Sequence, residues 1–144
     1  MRIVKLVIEH LFPSLIIGFL GYFIWGNSQL IICALFTGWL IDIDHLIDYF
    51  LCFGIKFPLK DFFSAKYFIQ NRKIIVFLHS WEFVFLWILF CLFLNKKDWA
   101  LVGAFSWGFH LLMDHKVYDL HPFAYFLSYR IIHKFNITAI CKNT

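Results

Sequence analysis

Four apolar runs, about Leu11 to Trp25, Leu30 to Phe53, Ile74 to Leu94 and Trp99 to Met113, are separated by polar breaks. Each approaches the ~20 residues that an α-helix needs to cross a hydrocarbon core, the first and fourth by borrowing neighbours. Gly26-Asn27-Ser28 joins the first pair and Asn95-Lys96-Lys97-Asp98 the second, and both are too short and polar for anything but tight connections. The pattern predicts an all-α polytopic membrane protein, with four transmembrane helices arranged as two hairpins in a single domain over residues 1–144. Between Gly54 and Lys73 the character changes, with Pro58 and five cations set among Phe and Tyr, which predicts a surface loop carrying an interfacial helix. Past the fourth run, Pro122 can open another helix. There Phe123, Phe126, Leu127, Arg130, Ile131 and Lys134 form an amphipathic C-terminal interfacial helix, with a fifth span over 123–140 as the alternative.

Composition sharpens this picture. The chain is 62% hydrophobic and 15% charged, with 20 Phe, against the ~45–50% apolar content of ordinary soluble domains. Membrane lipids are therefore the expected surroundings, and the six Trp and six Tyr read as interface anchors rather than substrate-stacking groups. A cleaved secretory signal is not expected, because no small-residue cleavage site follows the first run and further apolar runs do. The net charge of +4 does not point to nucleic acid, since the cations are scattered over loops and tails. With four spans, 11 of the 13 Lys and Arg residues fall on the side of the termini and only Lys96 and Lys97 on the other. The positive-inside bias then places both termini in the cytoplasm of a cell whose inner (plasma) membrane holds the chain. Cys33, Cys52, Cys91 and Cys141 form no CxxC pair and read as packing thiols.

Charged groups near hydrocarbon cost at least ~2.5–3.5 kcal/mol each, so their positions need a reason. His10 opens the first span, and Asp42, Asp44, His45 and Asp48 occupy the cytoplasmic half of the second. His79 and Glu82 come early in the third, and His110 and Asp114 close the fourth. All four spans thus carry their ionisable residues at one leaflet. At 100° per residue Asp44, His45 and Asp48 share one arc with Thr37 a turn deeper, and His110 and Asp114 project to one side with Ser106 a turn before them. His79 and Glu82, three apart, can face the same way. Asp42 reaches the same centre only where the helix bends or begins. So many carboxylates and imidazoles in low dielectric would repel or neutralise one another unless a cation balances them. Imidazole with carboxylate suits Zn²⁺, Mn²⁺ or Fe²⁺ better than Ca²⁺, and the absence of Cys argues against a closed structural zinc site.

At these residues the chain resembles a small bacterial inner-membrane family of metal-dependent hydrolases. That family has an early His, a Pro-Asp-x-Asp-His element, a Thr-His-Ser element and a late His-x-x-x-Asp. Here they read His10, Ile41-Asp42-Ile43-Asp44-His45, Leu78-His79-Ser80 and His110-Leu111-Leu112-Met113-Asp114. Ile41 and Leu78 stand where the family has Pro and Thr, and the His-Arg-Gly approach to the third element is missing. The family is similar to zinc-dependent phospholipase C and P1-type nucleases, so the resemblance implies phosphoester hydrolysis.

The expectation is a cytoplasm-facing hydrolase that binds one or two divalent ions, Zn or Mn first. Its ligands are drawn from His10, Asp42, Asp44, His45, His79, His110 and Asp114, and its catalytic groups from Asp44, His79, Glu82 and Asp114. An amphiphilic small-molecule substrate, a lipid-linked phosphoester, suits a site at the bilayer boundary, with Arg72, Lys73, Lys116 and Arg130 attracting its anionic head. His115, Asp119, His121 and His133 read as solvated interface positions. Two rival readings remain open: an ion- or proton-coupled transporter, and a non-catalytic scaffold tied together by metal.

Overall fold

The computed structural model describes residues 2–54, 70–117 and 120–142, and side chains for residues 9–54, 70–116 and 120–142. Most of the stretch expected to carry an interfacial helix, Asp119, and the side chains of Arg2 and Lys5 lie outside the described residues. Among the described residues the chain is all-helical, with α1 (Arg2–Trp25), α2 (Gln29–Gly38), a 3-10 turn (Leu40–Asp42), α3 (Ile43–Phe53), α4 (Trp81–Phe93), α5 (Lys97–Val117), α6 (Leu127–Ile132) and α7 (Ile137–Ile140). Two compact units are distinguished: Met1–Ile41 with Trp81–Met113, and Asp42–Ser80 with Asp114–Thr144.

In the first unit α1 and α2 form the expected hairpin. Gly26, at φ 68°, ends α1 by donating its N–H to the Tyr22 carbonyl, a left-handed closure that suits glycine. Asn27 then accepts the Gln29 N–H at the entry to the next helix (3.1 Å) and donates its amide to Asp98 at the other connection (3.1 Å). Close approach of the two helices depends on Gly18, where a Cβ would stand 2.7 Å from the Ile31 Cα. Leu30, Cys33, Ala34 and Val102 form the apolar core, with Ile17, Trp87 and Trp99 packed around it. Trp87 donates its indole N–H to the Trp99 carbonyl (3.1 Å), so its polar edge is satisfied inside that packing. All four cysteines are free, and Cys33 and Cys91 are buried as packing residues.

The second apolar run does not form one uninterrupted α-helix. It breaks after Gly38, passes through the 3-10 turn and restarts at Ile43. A side chain on Gly38 would collide with Ser14 and Ser106, and its carbonyl accepts from His110 (2.7 Å) instead of continuing the ladder. Asp42 therefore sits where a new helix begins, the condition under which it can share a centre with Asp44.

In the second unit the largest departure is at residues 74–80, expected as the start of the third span but not helical. Their backbone groups are claimed by side chains instead. Asp48 accepts the Ile75 N–H (3.0 Å) and Asp44 the Leu78 N–H (2.8 Å), while Ile74 N–H goes to the Phe135 carbonyl (3.0 Å). Helical geometry begins only at Trp81, so the i, i+3 relation expected of His79 and Glu82 does not arise. The C-terminal region is likewise two short helices rather than one amphipathic helix or a fifth span. Lys134 and Phe135, at φ 53° and 58°, turn the chain between them, and an isolated bridge pairs Lys73 with Asn136. Tyr49, Val76, Leu120, Ala124, Ile137 and Ile140 are buried here.

Among the described residues one helical stretch, Gln29–Phe53 (25 residues), is long and apolar enough to cross a membrane, and the apolar helices Glu9–Trp25 and Trp81–Phe93 are shorter. The late start of α4 is what shortens the third expected span. Gly18→Val is expected to cost about 1–3 kcal/mol through overpacking at the α1–α2 contact. A denaturant titration should show a lowered midpoint, and an unchanged one would mean that the helices do not depend on this approach.

Candidate metal centre

Five of the expected site residues come together in the second unit, around the imidazole of His79. Its ring is buried, and its two nitrogens face different partners. Nδ1 lies 3.0 Å from Asp44 Oδ1. On the other side Nε2 lies 3.3 Å from Asp42 Oδ1 and 3.6 Å from Asp114 Oδ2. His45 completes the group, with Nε2 3.9 Å from Asp42 Oδ1 and its ring centroid 4.6 Å from that of His79.

Each position has a local cause. Asp42 and His45 are brought together by the restart at Ile43, being three apart across the first turn of α3. Asp44, one helical turn before Asp48, is buried and uses Oδ2 for the Leu78 N–H, which sets its Oδ1 at His79. Asp114 comes from the C-terminal end of α5. His79 is held by neither helix nor strand. Its carbonyl and that of Val76 accept from the buried Arg130 guanidinium of α6.

The donor set fits a divalent ion. A tetrahedral ion with bonds of ~2.0–2.2 Å separates its ligand atoms by ~3.3–3.6 Å. The pairings at 3.3, 3.6 and 3.9 Å are close to that range, and ligand atoms of Asp42, His45 and His79 all lie within 4.8 Å of one another. Asp44 stands behind His79 rather than beside those atoms. A carboxylate at Nδ1 fixes the tautomer that leaves Nε2 as the ligand nitrogen. Asp42 and His45, with side chains 37% and 28% exposed, open the group to solvent on one edge.

Charge balance points the same way. Burial opposes a charge on His79, but the surrounding Asp44 and Asp42 carboxylates more than offset it and raise its pKa from 6.5 to about 10. The cluster thus calls for a positive charge at Nε2, which a proton or a metal ion can supply.

The remaining expected residues lie in the first unit. His10 and His110 are buried and stacked, with ring centroids 4.1 Å apart and planes at 29°. His110 Nδ1 is 2.7 Å from the Gly38 carbonyl, which assigns its proton to that nitrogen. Ser14, Thr37 and Ser106 are buried in the same unit, with their hydroxyls donating to the carbonyls of His10, Cys33 and Ala34. Glu82 is half-buried in the first turn of α4. Of the positions read as solvated, His121 and His133 are exposed, whereas His115 is half-buried beside the buried Tyr125.

Arg130 is the residue that sequence reasoning misread. It was expected among the exposed cations, yet it is 1% exposed while Ile131 and Ile132 on the same helix face outward. Periodicity carries no sign of this inversion.

Comparison with protein-family models, curated proteins and solved structures finds no match to the chain.

The His79 charge makes metal-free stability depend on pH. Because the folded pKa is raised, its contribution is complete below about pH 6.5 and is lost as pH rises through about 10. Denaturant titrations of chelator-treated protein should show that decline, and His79→Gln should remove this component of it. Identical profiles for the two proteins would mean that folding leaves the pKa of His79 unshifted.

Proposed function

We propose that the chain is a membrane-embedded, metal-dependent hydrolase whose ion is held by His79 Nε2 with Asp42, His45 and Asp114. The observation that carries this reading is the asymmetry of His79, with one nitrogen on a buried carboxylate and the other facing two more. A packing histidine needs one satisfied partner. Two carboxylates and a second imidazole on the Nε2 side, with a third carboxylate fixing the ring from behind, make a ligand set.

Residency in a bilayer is supported by the first unit's outward surface, where large apolar side chains are exposed on α1, α2, α4 and α5 alike, Phe23 by 77% and Phe93 by 83%. Water would not tolerate so much exposed apolar surface on a monomer. In this reading α1, Gln29–Phe53, α4 and α5 are the four spans, some of them short, in a plasma membrane with both termini cytoplasmic. Short spans are accommodated by local thinning of the bilayer.

A bound Zn²⁺ or Mn²⁺ supplies Lewis acidity and lowers the pKa of a coordinated water. The chain's own residues do the remaining work. Asp44 locks the His79 ring, while His45 and Asp42 at the exposed edge admit substrate. Asp42 is the carboxylate best placed to take a proton from water arriving there. An amphiphilic phosphoester, its tail in lipid and its head at this edge, is the substrate class that suits the surroundings. A second reading, a structural ion that only ties the second unit together, is favoured by the burial of Asp44, His79 and Asp114.

Detergent-purified protein is expected to contain stoichiometric divalent metal, lost in His79→Ala and weakened ~10–100-fold in Asp44→Asn, the usual effect of removing a carboxylate that orients a ligand. Elemental analysis and metal titration check this, alongside hydrolysis of lipid phosphoesters. Metal without turnover would select the structural ion, and equal metal in wild type and His79→Ala would remove the centre altogether.

A further inference from the structure

The metal reading leaves one question about His79: what fixes a ligand that belongs to no helix or strand. Residues 74–80 cannot rely on a backbone ladder. Ile75 and Leu78 give their N–H groups to Asp48 and Asp44, both buried on α3. The carbonyls of Val76 and His79 turn the other way and accept from NH1 and NH2 of Arg130. One planar fork thereby spans the segment and ends on the residue whose ring carries the site.

We propose that Arg130 is the positioning residue for His79: its guanidinium sets the backbone of 76–79 so that Nδ1 meets Asp44 and Nε2 faces Asp42 and Asp114. Two arguments carry this. Burying a guanidinium is costly unless its donors are used, and an Arg on a mobile surface loop would keep its head in water. The two carbonyls also lie three residues apart along one irregular segment, a spacing that a rigid fork can bridge and a single ammonium cannot reproduce with the same directionality. Asp44 sets the rotation of the ring, and Arg130 sets where the ring hangs. The consequence for metal affinity rests on the metal-site reading above, whereas the hold on the segment does not.

The test uses detergent-purified full-length protein with Arg130→Lys and Arg130→Met. Hydrogen exchange is measured first, on metal-free samples. Amides of 74–80 are expected to exchange on the order of tenfold faster in Arg130→Met, less so in Arg130→Lys, with α3 unchanged. Co²⁺ titration, followed by its visible absorption, should then show affinity reduced ~10–100-fold in Arg130→Met and partly recovered in Arg130→Lys. Unchanged exchange in 74–80 would overturn the inference, and so would a uniform rise across the second unit, which would make Arg130 a general stability residue. A selective rise with undiminished Co²⁺ affinity would overturn it as well. If wild type takes up no Co²⁺, the metal reading fails, and the exchange data alone decide whether Arg130 holds the segment. Arg130→Lys, which keeps the charge, decides the matter should Arg130→Met fail to fold.

Discussion

An irregular stretch of backbone in a protein interior must find partners for its N–H and C=O groups, since each unsatisfied buried group costs about 1–3 kcal/mol. Residues 74–80 meet that requirement with side chains. Carboxylates on α3 take two N–H groups and a guanidinium on α6 takes two carbonyls. Everything distinctive about the second unit follows from this exchange. It removes about two turns from the expected third span, fixes Asp44 and Asp48 in buried positions that would otherwise be prohibitive, and leaves His79 off any helix. A helix would have fixed His79 relative to Glu82; here it is fixed relative to Asp44.

Acid and base roles within the cluster separate by environment. Asp44 and Asp48 each give one oxygen to a backbone N–H, and the other oxygen of Asp44 faces His79 Nδ1. Asp42 and Asp114 face the other ring nitrogen, Nε2, where a cation can sit. Three carboxylates of α3 and its cap, similar in sequence, thus perform different tasks because one turn of helix presents them to different partners. The first unit handles polarity differently. Its buried hydroxyls return to carbonyls of the helices, and two buried imidazoles, His10 and His110, stack on one another.

Much of this was legible in the chain. Apolar runs and glycine-bearing breaks located the α1–α2 hairpin, and the Asn95–Asp98 break located the turn into α5. The density of costly residues singled out His10, Asp42, Asp44, His45, Asp48, His79, Glu82, His110 and Asp114, of which Asp42, Asp44, His45 and Asp114 surround His79. The need for a bend or a helix start at Asp42 was readable from the 100° rule. What could not be read was any feature decided by distant partners. Nothing after Ile74 marks it as non-helical, since Ile75, Val76, Phe77 and Leu78 are apolar and compatible with a helix in a membrane setting. The cause lies at Asp48, Asp44 and Arg130, far along the chain. Arg130 itself reads as one more surface cation, because burial of a charge depends on carbonyls that only the folded backbone offers. The C-terminal helix was overextended for a related reason: Lys134 and Phe135 adopt left-handed conformations that neither residue type announces.

The side-chain clamp also has a temporal side. Its hydrogen bonds link positions 27 and 34 residues apart to α3, and 51 and 54 residues apart to Arg130. Nothing local can therefore nucleate the segment, and loop closure must be completed on both sides before either set of bonds is rewarded. During synthesis the ribosome delivers α3 first, then the segment, and the guanidinium only some fifty residues after His79 has emerged. Until then the nascent chain holds paired carboxylates without the fork that opposes them. The ligand-bearing segment therefore completes its set of bonds only once Arg130 is made, although every proposed ligand has already been made by residue 114.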